Sequence, residues 1–220
     1  MFPLKLAHLR DRALLGNMDD ATTPVPKPKK KPIMRVIAAV LGLAGVVGGI
    51  SQMKSGFRQL KADPEVGRLS QESDSAFNQA NKFLEEAAPA FQAVLDSVDK
   101  DGLASVRAGK KDEAANAATL YEQAAEQFRK AAQKAMDAAA LKPPGNTVAF
   151  LETKAEAYRN FAAARDINRD IARMVLDETI RNDEELVPKV LEAAGRRDKL
   201  EEAAKEAVLR ADKLVADSKK

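Results

Sequence analysis

AANAATLYEQAAEQFRKAAQKAMDAAALKPPGN, residues 114–146, is the stretch whose reading decides the fold. Its apolar positions Ala114, Ala117, Tyr121, Ala124, Phe128, Ala131, Ala135 and Ala138 step by three and four without a miss. That spacing puts them on one stripe of an α-helix; a strand would need alternation by two. Between them lie Glu, Gln, Lys and Arg, which keep water on the other face. The helix stops at Lys142-Pro143-Pro144-Gly145-Asn146, where the prolines supply no donors and the glycine permits a turn.

The same rhythm extends both ways. Upstream, Phe77, Ala80, Leu84, Ala87, Phe91, Val94 and Val98 form a heptad-like seam, which predicts a helix from near Ser70 to Val98. Ser70 and Ser73 are its candidate caps, and Pro89 removes the bond to the Glu85 carbonyl, which predicts a bend. Asp99 to Gly102 stops it, and a short helical turn, Leu103 to Ala108, ends at Gly109. Downstream, Thr147 is placed to cap a third helix. Phe150, Ala157, Phe161, Ala164, Ile171 and Val175 share its apolar face, with Leu151, Ala155, Tyr158 and Ala162 beside them. After Asn182-Asp183 a fourth helix, with Pro188 in its first turn, carries Val190, Ala193, Leu200, Ala204, Ala207, Ala211 and Leu214. Short breaks between long helices favour antiparallel neighbours, so residues 70–220 read as an all-α, antiparallel bundle of about four long, alanine-rich helices.

Ala80, Leu84, Ala87, Ala88 and Phe91 recur 37 residues later as Ala117, Tyr121, Ala124, Ala125 and Phe128. The second copy, LYEQAAEQFRKAAQ, resembles part of a tetratricopeptide motif. The likeness covers one helix, and the helices read here are much longer than those of that 34-residue repeat.

A different physics governs Val36–Met53, VIAAVLGLAGVVGGISQM, eighteen residues without a charge between Arg35 and Lys54. As a helix it is about 27 Å long, enough to cross a bilayer core. Gly42, Gly45, Gly48 and Gly49 weigh against an aqueous helix, where each glycine costs up to about 1 kcal/mol, and fit a membrane one. We read it as a single N-terminal transmembrane helix; the alternative is a cleaved signal sequence, most compactly if synthesis starts at Met34 rather than Met1 or Met18. Ala38, Gly42, Gly45 and Gly49 fall on one face and would let two such helices pack closely. Residues 1–35 form a basic, proline-rich tail, read as disordered, and 54–69 a juxtamembrane linker. Lys27, Lys29, Lys30, Lys31 and Arg35 act as a topology signal that also meets lipid headgroups, placing the N-terminus in the cytoplasm and the bundle outside. Lys54, Arg58 and Lys61 pull the other way.

The formal charge of +3 conceals an asymmetry: residues 1–61 carry a net +8 and residues 62–220 a net −5. An acidic bundle does not suit nucleic acid. Cysteine is absent and the sole histidine is His8, so thiol chemistry, a His-based triad and the Glu-x-x-His pairs of di-iron bundles are excluded from the helices. No phosphate-binding glycine loop occurs, and pairs such as Glu85-Glu86, Glu184-Glu185 and Glu201-Glu202 read as solvated faces. Two polar residues interrupt seams. Asn168 lies between Ala164 and Ile171, where a buried amide fixes register, and Arg197 lies on the fourth helix, as a snorkelling side chain or an anion or partner contact.

No enzyme, cofactor or metal is expected. The sequence points to a membrane-anchored scaffold or interaction module, its partners being lipid, another protein and, through the membrane helix, itself. One alternative is an extracytoplasmic ligand-binding bundle, similar to the four-helix sensory domains of bacterial receptors; those carry a second span, and the chain ends DKLVADSKK without one. Another is a released, secreted or periplasmic, surface-associating helical protein of the phasin kind.

Overall fold

The computed structural model describes residues 63–218, and these form five helices and no strand. They are α1 Pro64–Asp101, α2 Leu103–Gly109, α3 Lys111–Ala140, α4 Thr147–Leu176 and α5 Asp183–Asp217. The all-α bundle expected from the seams is present. Among the described residues no helix is long and apolar enough to cross a membrane. The stretch read as a transmembrane helix, residues 36–53, lies outside them, as do the tail and most of the linker.

Contacts between α1, α3, α4 and α5 fix an up-down-up-down order. Along α1 and α3, Ser73 meets Ala131, Phe77 meets Phe128 and Phe91 meets Tyr121, so one chain rises as the other falls. Glu122 with Arg173 and Arg129 with Asp166 do the same for α3 and α4. Arg165 with Glu201 and Glu156 with Arg210 do it for α4 and α5. Helices α1 and α4 run parallel, joined by Asp74 with Lys154 and by the stacked rings of Phe77 and Tyr158, 5.1 Å apart. Close backbone approach is extensive between α1 and α3, α3 and α4, and α4 and α5, and α1 and α5 share no comparable seam among the described residues.

Among the described residues, half of the buried hydrophobic ones are alanine. Methyl groups let helix axes approach toward 8 Å, but each contributes little transfer free energy. Larger side chains bury more each, among them a run of rings: Phe128 lies 5.7 Å from Phe77 and 5.6 Å from Phe161, and Phe91 meets Tyr121 edge-on at 5.8 Å. Such pairs add about 0.5–1.5 kcal/mol each beyond the area they bury.

Several local expectations are corrected. α1 starts at Pro64, inside the stretch read as linker, because Asp63 accepts the Glu65 and Val66 amides and Pro64 supplies a preset first turn. Ser70 and Ser73 are therefore buried interior residues, and Ser73 donates to the Ala131 carbonyl at 2.8 Å. Pro89, by contrast, lies inside α1 as expected, on its exposed face. The cap of α4 is Asn146, with Thr147 the first helical residue. Asn182 caps α5, which places Pro188 in the second turn rather than the first.

The short α2 has a structural task. Arg107 donates Nε to the Val175 carbonyl (2.8 Å), Nη1 to Ile180 (2.7 Å) and Nη2 to Asp177 (2.5 Å). One guanidinium thus closes the C-terminal end of α4, where carbonyls lack intrahelical partners and the helix dipole favours a cation. Asp183, at the start of α5, accepts the Leu103 amide at 2.9 Å, so α2 ties both ends of the α4–α5 connection.

Candidate functional site

Alanine seams would make a uniform apolar interior, and most of this one is. The exception lies where α3, α4 and α5 face one another: Tyr121, Arg165, Asn168, Arg197 and Glu201. Asn168 is 0% exposed, Arg197 1%, Arg165 2% and Glu201 4%. Arg165 and Asn168 are one turn apart on α4, as Arg197 and Glu201 are on α5, so each helix presents its pair on one face. The Tyr121 hydroxyl lies within the electrostatic reach of Arg165, Arg197 and Glu201.

Arg165 donates Nη2 to Glu201 Oε1 at 2.6 Å. Arg197 turns the other way and donates Nε to Asp198 Oδ1 at 3.0 Å, with Nη2 on the same oxygen. Burial shapes the protonation equilibria. It pushes the Tyr121 hydroxyl up to about 12, with Arg165 and Arg197 opposing. Burial also draws the Arg165 guanidinium below its ordinary value, with Glu201 holding its charge in place.

Four buried atoms beside these pairs have no hydrogen-bond partner among the described residues: Tyr121 Oη, Arg165 Nε, and both Nδ2 and Oδ1 of Asn168. A buried polar group left without a partner costs about 1–3 kcal/mol. Their concentration here marks the cluster as the candidate site.

A second buried charge is paired with a carboxylate. Lys154, 1% exposed, donates to Asp74 Oδ1 at 2.6 Å and lies 5.9 Å and 5.8 Å from the rings of Phe150 and Tyr158. It ties α4 to α1. Burial, reinforced by Asp74, raises the Tyr158 hydroxyl well above its ordinary value.

Of the sequence candidates, Asn168 and Arg197 come together in this cluster. Arg197 does not snorkel; its guanidinium is buried and reaches Asp198. Glu201 is likewise no solvated face: it takes the interior position expected for Leu200, which is only half-buried. Ala38, Gly42, Gly45, Gly49, Lys27, Lys29, Lys30, Lys31 and Arg35 lie outside the described residues. Arg165 and Lys154 were missed, although the α4 face Leu151, Ala155, Tyr158, Ala162 continues by a step of three onto Arg165. Among the described residues no group of three or more His, Asp or Glu is arranged to hold a metal ion.

No family model, curated protein or solved structure matches the chain.

Proposed function

We propose that this protein is a non-catalytic, membrane-tethered helical scaffold whose outer face serves as an interaction surface for another protein. The observation that carries the reading is the use made of the buried and half-buried charges, which join one helix to another. Lys154 with Asp74 couples α4 to α1, Arg165 with Glu201 couples α4 to α5, and Arg107 couples α2 to α4. Cross-braced in this way, the bundle presents fixed outer faces, as a scaffold requires. The tether rests on the uncharged run Val36–Met53 and its basic flank, with the N-terminus in the cytoplasm and the bundle outside.

A second reading, an extracytoplasmic ligand-binding bundle, draws support from the unpartnered polar atoms around Asn168.

The test uses the full chain with a C-terminal tag, expressed in cells whose membranes are then isolated. A membrane-bound product of full length, cut only by external protease, agrees with the tether and its orientation. A shorter, soluble product means that residues 36–53 are a cleaved signal and refutes the tether. A membrane-bound tag protected from external protease moves the bundle to the cytoplasmic side and overturns the orientation. Photo-crosslinking from exposed Leu191 and Leu209 of α5 then asks for a discrete adduct; none from either, nor from exposed sites on α1, refutes the scaffold.

A further inference from the structure

We propose that residues 196–217 of α5 form a strap that lifts from α4 about Gly195, while α1, α3, α4 and the start of α5 stay folded. Three helices already close on one another without it. Helix α3 packs along both α1 and α4, and α1 reaches α4 through Asp74 with Lys154 and the stacked rings of Phe77 and Tyr158. Every ring contact among the described residues lies within that trio, and α5 carries no aromatic residue. Helix α5 rests mainly on α4 and has no comparable seam with α1 among the described residues.

The strap buries little that favours closure. Its buried residues are Arg197, Glu201, Ala204, Ala207, Val208 and Ala211. Three methyl groups and one valine supply little transfer free energy, with Leu214 and Val215 only partly buried beside them. Arg197 and Glu201 are paired with Asp198 and Arg165, but burying them carries a desolvation penalty that offsets much of the attraction. The other ion pair to α4, Arg210 with Glu156, is half exposed on both sides and adds little. Arg165 Nε has no partner while the seam is closed, and lifting Glu201 away gives that guanidinium water.

The start of α5 is held differently. Asn182 caps it, Asp183 accepts the Leu103 amide at 2.9 Å, Arg107 holds the Ile180 carbonyl, and Leu186 and Val190 are buried. Gly195 stands between the two parts. A Cβ there would meet nothing within 4 Å, so packing does not call for glycine; what glycine supplies is a weak point in the helix. The closed bundle, with its braced faces, is the prevailing state, and the strap is the part that moves. This motion belongs to the α4–α5 seam, whether the bundle is tethered or released.

The experiment is amide hydrogen exchange of the full chain in a non-ionic detergent, read by mass spectrometry at several low urea concentrations. A lifted strap has lost the packing that supplies most helical stability, so its amides exchange on opening. Residues 197–211 are expected to share one opening constant, at least about a hundredfold larger than that of residues 117–135 of α3, with a shallower urea dependence than global unfolding. Residues 184–193 are expected to be protected at least about tenfold better than the strap. Gly195→Ala, which fits the open space, is expected to slow exchange of the strap by about two- to fivefold. Protection shared by the strap and α3, or a loss of protection merely graded toward residue 217, would overturn the proposal. Equal rates on the two sides of Gly195, or no slowing in Gly195→Ala, would overturn it as well.

Discussion

Replacing Glu201 by Gln removes one charge and almost no volume, so its effect isolates the buried ion pair. In the native bundle Arg165 Nη2 and Glu201 Oε1 are 2.6 Å apart, with 3% and 6% of their side chains exposed. The variant leaves Arg165 buried near Arg197 and without the carboxylate that held its charge. Breaking one member of a buried pair typically costs about 3–5 kcal/mol, because the remaining charge keeps its desolvation penalty. For a domain of this size, each kcal/mol shifts the midpoint by about 2–4 °C, so the expected fall is about 6–20 °C. The double variant Arg165→Met with Glu201→Leu removes both charges and is expected to recover most of that loss. Urea and thermal unfolding followed by circular dichroism at 222 nm measures both. A single variant within about 1 kcal/mol of the parent would show that water already reaches the pair, and the reasoning from burial would fail.

Other perturbations probe separate features. Tyr121 and Tyr158 both have hydroxyls raised by burial, so the folded state keeps protons that the unfolded chain has lost. Stability is therefore full below pH 10 and falls as pH rises toward 12, by about 2–3 kcal/mol for Tyr121 alone; melting across pH 9–12 should show the fall, reduced in Tyr121→Phe. Gly195 lies in α5 with open space around it, so Gly195→Ala is expected to stabilise by about 0.5–1 kcal/mol in a urea titration. Gly102 has φ +81° and ψ 161°, a region almost closed to other residues, so Gly102→Ala should destabilise by about 1–3 kcal/mol in the same assay. Arg107→Met frees three carbonyls at the end of α4. Amide exchange over residues 174–182 should rise at least about tenfold, equivalent to about 1.4 kcal/mol of local stability, while the middle of α4 stays protected.

The seams were legible because apolar spacing survives in the sequence whatever the neighbours are. Every position named on the 114–138 stripe is buried. Starts were harder: two serines near residue 70 outweighed Asp63-Pro64, although an Asx cap followed by proline is the stronger local signal. The polar cluster was half visible. Asn168 and Arg197 broke an apolar pattern and stood out, whereas Glu201 sat beside Glu202 and Leu200. A period of 3.6 drifts along a long helix until a neighbouring residue turns inward. Arg165 and Lys154 were hidden for a related reason. A charge on a helix ordinarily signals solvent, and only the partner on another helix, Glu201 or Asp74, makes it an interior residue.

The order of packing bears on how the chain assembles in time. Helix α3 docks on α1, α4 on α3 and α5 on α4, so each newly made helix meets the surface its predecessor has just completed. Loop closures between successive partners are short, and topologies of that kind fold quickly. A chain emerging N-terminus first, from a ribosome or through a membrane pore, can therefore build its bundle progressively rather than wait for its last residue. The late step is the C-terminal one: only when α5 arrives does Glu201 reach Arg165, and until then α4 holds a bare cation on an apolar face.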